Sequence, residues 1–178
     1  VLAVAKMSPR EAPWDLVRAL PGLSGDVRVL FAGDGPRRAE LAGEAGRLAP
    51  ERAGFLGYIP YRDLPVLYGL ADLFVHPVSE ERWGVSVAEA LACGLPVVTS
   101  SRVGAAHDLL VPGKNGAIYA VGQPAELAQR ISEALQLDRG EVERTNRSVL
   151  ARWDYAATWR SLVEAATRAA NLPAGDFF

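Results

Sequence analysis

The sequence predicts an α/β domain, a doubly wound parallel sheet with helices on both faces. Three observations point there. Short, mostly apolar runs, among them Val27–Ala32, Leu73–His76 and Pro96–Thr99, alternate with longer stretches of helical periodicity. The runs are nearly continuous in their apolar character, as strands buried on both faces are. The chain has 178 residues, 49% of them hydrophobic, enough for one real core.

Taken in order, Val1 to Ala5 reads as the first strand. A polar stretch follows, then a helix from Pro13 to Leu20 that Pro21-Gly22 ends. The strand Val27–Ala32 runs into the tight turn Gly33-Asp34-Gly35-Pro36, which opens a helix rich in Ala, Leu, Arg and Glu up to Leu48. Ala53 to Leu56 is a strand, and Gly57-Tyr58-Ile59-Pro60 the loop after it. A short helix spans Asp63 to Gly69, with Pro65 tolerated in its first turn. After the strand Leu73–His76, Gly84 opens a helix that Gly94 and Pro96 stop before the next strand. Gly104–Leu109 reads as a short helix, and Asn115-Gly116 as a turn into the strand Ala117–Tyr119. Leu127, Ile131 and Leu135 recur every fourth residue in a helix from Pro124 to Leu135. Helices over Glu141–Leu150 and Tyr155–Ala170 close the chain. The domain is expected over 1–171, with 172–178 as a frayed or docking tail.

Several classes of function are disfavoured. A net charge of −2, with arginines interleaved among acids, gives no electrostatic footprint for nucleic acid. No apolar run approaches the roughly 18 to 20 residues that cross a bilayer. One cysteine, Cys93, allows no internal disulfide and favours a reducing, cytoplasmic setting; as a thiol it reads as a small buried side chain. Two histidines and that cysteine form no metal-ligand cluster. Ser86 has no partner histidine and aspartate at triad spacing, which argues against hydrolase chemistry. Val1 is not an initiator methionine, so the chain reads as a piece of something longer.

The most informative segment is Glu81-Arg82-Trp83-Gly84-Val85-Ser86-Val87-Ala88-Glu89. One acid sits in a loop, glycine opens a helix, and a second acid lies inside that helix. Carboxylates at neutral pH only accept hydrogen bonds. Two of them beside a helix N-terminus suit a ligand rich in hydroxyls that also carries phosphate. In parallel α/β sheets such ligands bind beyond the carboxyl ends of the strands, near a switch point in strand order.

Several blocks occur in a fixed order: Gly33-Asp34-Gly35-Pro36, Phe55-Leu56-Gly57, Leu67 to Pro77, Glu81 to Glu89, Gly94-Leu95-Pro96-Val97-Val98 and Lys114-Asn115-Gly116. Together they resemble the carboxy-terminal, nucleotide-sugar-binding domain of family 4 retaining glycosyltransferases, one Rossmann-like half of a GT-B fold. The resemblance implies roles. Glu81 would bind hydroxyls of the donor sugar near the reacting carbon, and Glu89 the ribose hydroxyls. Backbone NH groups at Gly84 and Val85, beside Trp83, would meet the sugar or diphosphate. Tyr58 and Ile59 would flank the base, and Gly33 and Gly35 would lie next to the donor. Lys6 stands where the family has a diphosphate-gripping arginine. His76, at a strand end on the same rim, reads as structural or as a sugar contact. No metal or other cofactor is implied; the donor, a nucleotide-diphosphate sugar, is a substrate. An amino-terminal acceptor domain would be the missing partner, and any membrane contact would be peripheral and belong to the parent protein.

The chain departs from the family at the phosphate grip. Ala5 stands for the usual glycine, and Glu11-Ala12 for the usual Lys-Gly. Either Glu11 points away and Arg10 supplies the second cation, or phosphate binding is weakened by like charge. Two alternatives follow: a non-catalytic nucleotide-sugar-binding module, and a GT-B sugar phosphorylase. Trp153 and Trp159 read as packing residues of the last helix, His107 as a surface residue and Glu80 as solvated.

Overall fold

A computed structural model describes residues 1–8, 11, 13–153 and 155–170. Arg10 and the tail 172–178 lie outside the described residues. Six strands form one sheet: β1 (Leu2–Val4), β2 (Val29–Ala32), β3 (Ala53–Gly57), β4 (Phe74–His76), β5 (Val97–Ser100) and β6 (Gly116–Tyr119). Their spatial order is β3-β2-β1-β4-β5-β6, and every pairing is parallel. The chain builds outward from β1 through β2 to β3, then returns to lay β4 on the other side of β1. The switch point therefore falls between β1 and β4, joined by the register pair Leu2↔Phe74.

The helices are α1 (Pro13–Ala19), α2 (Arg38–Leu48), α3 (Leu64–Leu70), α4 (Val85–Ala92), α5 (Gly104–Leu109), α6 (Pro124–Ala134), α7 (Arg139–Leu150) and α8 (Tyr155–Ala170). They divide between the sheet's two faces because strand side chains alternate. Ala3, Phe31, Val75 and Val98 point to one core with Leu16, Leu41 and Ile131 from α1, α2 and α6. Leu2, Ala32, Phe74 and Val97 point to the other, with Tyr68, Leu91 and Leu109 from α3, α4 and α5. On the first face the rings of Phe31 and Phe55 stack at 4.8 Å across β2 and β3.

The observed elements agree with the predicted order, and the differences sit at their ends. β2 begins at Val29 because the Val27 amide is spent on a turn to the Ser24 carbonyl. α7 begins at Arg139, two residues before the expected Glu141, because Asp138 caps it: its Oδ1 accepts the Glu141 amide at 2.8 Å. Cys93 overturns its expectation. It is exposed just past the end of α4, and partial shielding together with the Glu89 carboxylate pushes its thiol upward, away from reactivity. Trp153 packs on Trp83 with ring centroids 4.7 Å apart, whereas Trp159 is 68% exposed, so packing within this chain holds for the first tryptophan and not the second. His107 and Glu80 are exposed, as expected. No helix among the described residues is long and apolar enough to cross a membrane.

One buried acid ties α1 to the end of β6. Asp15 on α1 is 6% exposed, and its Oδ2 accepts from the Tyr119 hydroxyl at 3.2 Å and the Gly122 amide at 2.8 Å. Removing it strands a buried phenol and an amide, a loss of about 2 kcal/mol. Asp15→Ala is expected to lower the melting temperature by roughly 4–8 °C, and Asp15→Asn, which keeps an acceptor, by less. Differential scanning calorimetry checks both.

Candidate active-site cleft

The loops leaving β1, β2, β3 and β4 surround a cleft of about 460 Å³. Lys6 and Glu11 come from the segment after β1, and Gly33 and Asp34 from the turn after β2. Tyr58 and Ile59 follow β3, and His76 ends β4. The segment after β4 supplies Glu81, Val85, Ser86 and Glu89. The two acids thus face one cleft from a loop and a helix.

The glycines set this geometry by close approach. Gly84 caps α4 with φ +101°, and a Cβ there would lie 2.7 Å from Val103 Cγ1. Gly104, the first residue of α5, is tighter: its Cβ would come within 1.9 Å of the Arg82 carbonyl oxygen. Three backbone hydrogen bonds clamp the Glu81 loop there, from Glu81 N to Arg102 O at 3.0 Å, Gly104 N to Glu81 O at 3.1 Å and Ala105 N to Trp83 O at 2.8 Å.

Glu89 is gripped by two phenols. The Tyr61 hydroxyl donates to Oε1 at 3.0 Å and the Tyr68 hydroxyl to Oε2 at 3.1 Å. Tyr68 is 2% exposed, and burial first, then the Glu89 charge, pushes its phenol far up, so it remains a donor. Each carboxylate oxygen has two lone pairs, so two phenols leave capacity for further donors.

Glu81 meets His76. The imidazole Nε2 lies 2.5 Å from Glu81 Oε2, and its Nδ1 lies 3.2 Å from Ser86 Oγ. The ring is 5% exposed and stacks on Phe74 at 6.0 Å. This corrects the expectation that Ser86 lacks a histidine partner. The three residues form a row, with serine at Nδ1 and acid at Nε2, assembled across a strand end, a loop and a helix start.

Glu11 does not point away from the cleft. It lines the cleft, and its Oε2 accepts the Lys6 amide at 2.6 Å. Burial raises its carboxyl above the usual range, the nearby Glu81 charge adds to that, and the Lys6 amide together with the charges of His76 and Lys6 opposes it.

Of the residues expected at the donor, Lys6, Gly33, Tyr58, Ile59, His76, Glu81, Val85 and Glu89 line the cleft. Gly35, Trp83 and Gly84 do not. Trp83 packs on Trp153 instead, and its carbonyl accepts from the Ala105 amide of α5. Gly35 serves the backbone instead: a Cβ there would lie 2.6 Å from the Met7 carbonyl oxygen. Gly84 acts by capping α4. Sequence reasoning missed Ser86, Tyr61, Tyr68 and Gly104, although a serine in the first turn of a helix on the active rim is a signal that could have raised the first. Among the described residues no three His, Cys, Asp or Glu side chains form a metal-holding group.

Comparison with known proteins bears on this site. The family model described as "Glycosyl transferases group 1" matches residues 1–149. The D-inositol 3-phosphate glycosyltransferase of Mycobacterium tuberculosis is 31% identical over 184 residues, covering 99% of this chain. The chain spans 38% of that relative's length. Among solved structures, Anabaena Alr3699/HepE in complex with UDP superposes with a TM-score of 0.81 at 27% identity, over 94% of this chain and 48% of that one. The same protein in complex with UDP-glucose gives a TM-score of 0.76 at 25% identity over the same shares, 94% and 48%.

Proposed function

This chain belongs to the glycosyl transferases group 1 family, and from that premise we propose that it is the donor half of a retaining glycosyltransferase, binding a uridine-diphosphate sugar in the cleft between β1 and β4. The observation that carries the reading is the convergence of Glu81 and Glu89 on one cleft at the start of α4. Glu89, held by Tyr61 and Tyr68, accepts from the ribose hydroxyls, and Glu81 from the sugar. Tyr58 and Ile59 flank the base. Lys6 and the backbone NH groups opening α4 at Gly84 and Val85 take the diphosphate, and stabilise the charge that grows on it as the bond to the sugar breaks. Cationic side chains and amides do this work without a metal. The uracil base is favoured by the UDP and UDP-glucose complexes of the Anabaena protein. A second domain supplies the acceptor and closes over the donor to exclude water, and the protein works in the cytoplasm.

Titration calorimetry of the protein that carries this chain, with UDP, GDP and ADP, tests the reading. Binding of UDP is expected to be tightest, and no heat with any of the three ends the proposal.

Glu11 makes a separate prediction. Its carboxylate shares the cleft with the diphosphate site, so at neutral pH it opposes the donor. Because its pKa is raised, protonation relieves that repulsion as pH falls through the raised value, and binding of UDP-glucose tightens in that direction. Glu11→Gln is expected to tighten UDP-glucose binding at neutral pH by about tenfold, or 1.4 kcal/mol, and to flatten the pH dependence. Unchanged affinity across the pH range would place Glu11 away from the bound diphosphate.

A further inference from the structure

We propose that Ser86 and His76 are positioning residues that hold the Glu81 carboxylate in its working orientation through a fixed imidazole tautomer. The inference rests on the reading of the cleft as a donor-sugar site. A carboxylate only accepts, so the His76 nitrogen 2.5 Å from Glu81 Oε2 must carry the proton; in the neutral ring that proton is on Nε2. Nδ1 is then a lone pair, and the Ser86 hydroxyl, 3.2 Å away, donates to it. If the ring is protonated, Nδ1 also donates and the same hydroxyl accepts. Ser86 therefore satisfies Nδ1 in both states.

The rest of the surroundings keep the ring still. The imidazole is 5% exposed, and Phe74 stacks on it with ring centroids 6.0 Å apart. The Thr99 hydroxyl donates to the His76 carbonyl at 2.9 Å. Among the described residues, charged or titratable groups that face the ring include Glu81 and, from the segment after β1, Glu11. With both ring nitrogens occupied, His76 acts on the sugar through Glu81. Of the two roles expected of it, structural residue or sugar contact, this is a form of the first.

Without the Ser86 hydroxyl, Nδ1 is left buried and unpaired in either protonation state, and the ring turns to find a partner. Glu81 then loses its hydrogen bond from Nε2, while the phenol grip on Glu89 is untouched. The expected signature is a split between turnover and nucleotide affinity.

The test uses the full-length protein with UDP and UDP-glucose. Ser86→Ala is expected to lower kcat for sugar transfer by about tenfold, the scale on which losing a residue that orients a ligand side chain acts. It should shift the acidic limb of the pH–rate profile and leave UDP affinity within about twofold; Ser86→Thr should restore both. Independently of activity, long-range 1H–15N spectra should show the Nε2–H tautomer of His76 in the unsubstituted protein and a mixture in Ser86→Ala. A neutral His76 that carries its proton on Nδ1 overturns the row, as does unchanged kcat in Ser86→Ala, or UDP affinity falling in step with kcat. Failure of the unsubstituted protein to bind UDP instead overturns the donor-site reading, and the tautomer measurement then decides the row alone.

Discussion

Gly104→Ala is expected to cut turnover of the full-length protein by about 100-fold and to destabilise it by roughly 1–3 kcal/mol. The added Cβ would sit 1.9 Å from the Arg82 carbonyl oxygen and 2.9 Å from the Arg82 carbonyl carbon. These are backbone atoms, so no rotamer change relieves the overlap. Either α5 or the Glu81 loop must retreat. α5 is anchored by Ala105, Ala106 and Leu109, all fully buried. The loop is the softer partner, and it carries Glu81. A displacement near 1 Å there is the kind of error that costs two orders of magnitude in a reaction dependent on positioning. Gly69→Ala is the matched control: its Cβ would have nothing within 4 Å, so it should leave turnover intact. Steady-state kinetics and melting curves on both variants decide the matter. Normal turnover in Gly104→Ala would mean that the clamp does not govern the site.

Glu89→Ala is expected to weaken UDP binding by at least about 100-fold. Hydrogen bonds from two ribose hydroxyls to a charged acceptor are worth about 1.5–3 kcal/mol each, and alanine removes both. The same change strands the Tyr68 hydroxyl, whose residue is 2% exposed, and adds an unfolding penalty of about 1–3 kcal/mol. Binding and stability can be separated with Tyr68→Phe. The double variant Tyr68→Phe/Glu89→Ala should recover most of the stability and none of the affinity. Calorimetric titration alongside thermal melting reads the two effects. Retained UDP affinity in Glu89→Ala would remove this acid from the nucleotide site.

The architecture was legible because its signals are local. Strand runs, glycine stops and the turn before β6 each declare themselves within a few residues, and α5 and α8 were predicted to the residue. The start of α7 was placed two residues late because the cap at Asp138 was not read. The two acids of the cleft were legible through their spacing around Gly84. What could not be read is convergence. Ser86 and His76 lie ten positions apart on different elements, and only folding brings Oγ to 3.2 Å from Nδ1. Glu11 stood out as a residue of the wrong charge for its place, but its direction depends on one hydrogen bond to the Lys6 amide. Gly104 looked like an ordinary helix start. Its importance comes from a carbonyl 22 positions earlier in the chain, which no local pattern encodes.

The placement of β1 has a bearing on synthesis. It is the first strand of this sheet in chain order, yet it ends at the centre of the sheet, with β2 on one edge and β4 on the other. The edge that Leu2 offers to Phe74 has no partner until some 70 further residues have been translated. At about 5–20 residues per second that is a delay of roughly 4–15 s. Throughout it, an apolar parallel edge waits open to adventitious pairing. The crevice between β1 and β4 consequently acquires its second wall only once β4 and α4 have been translated.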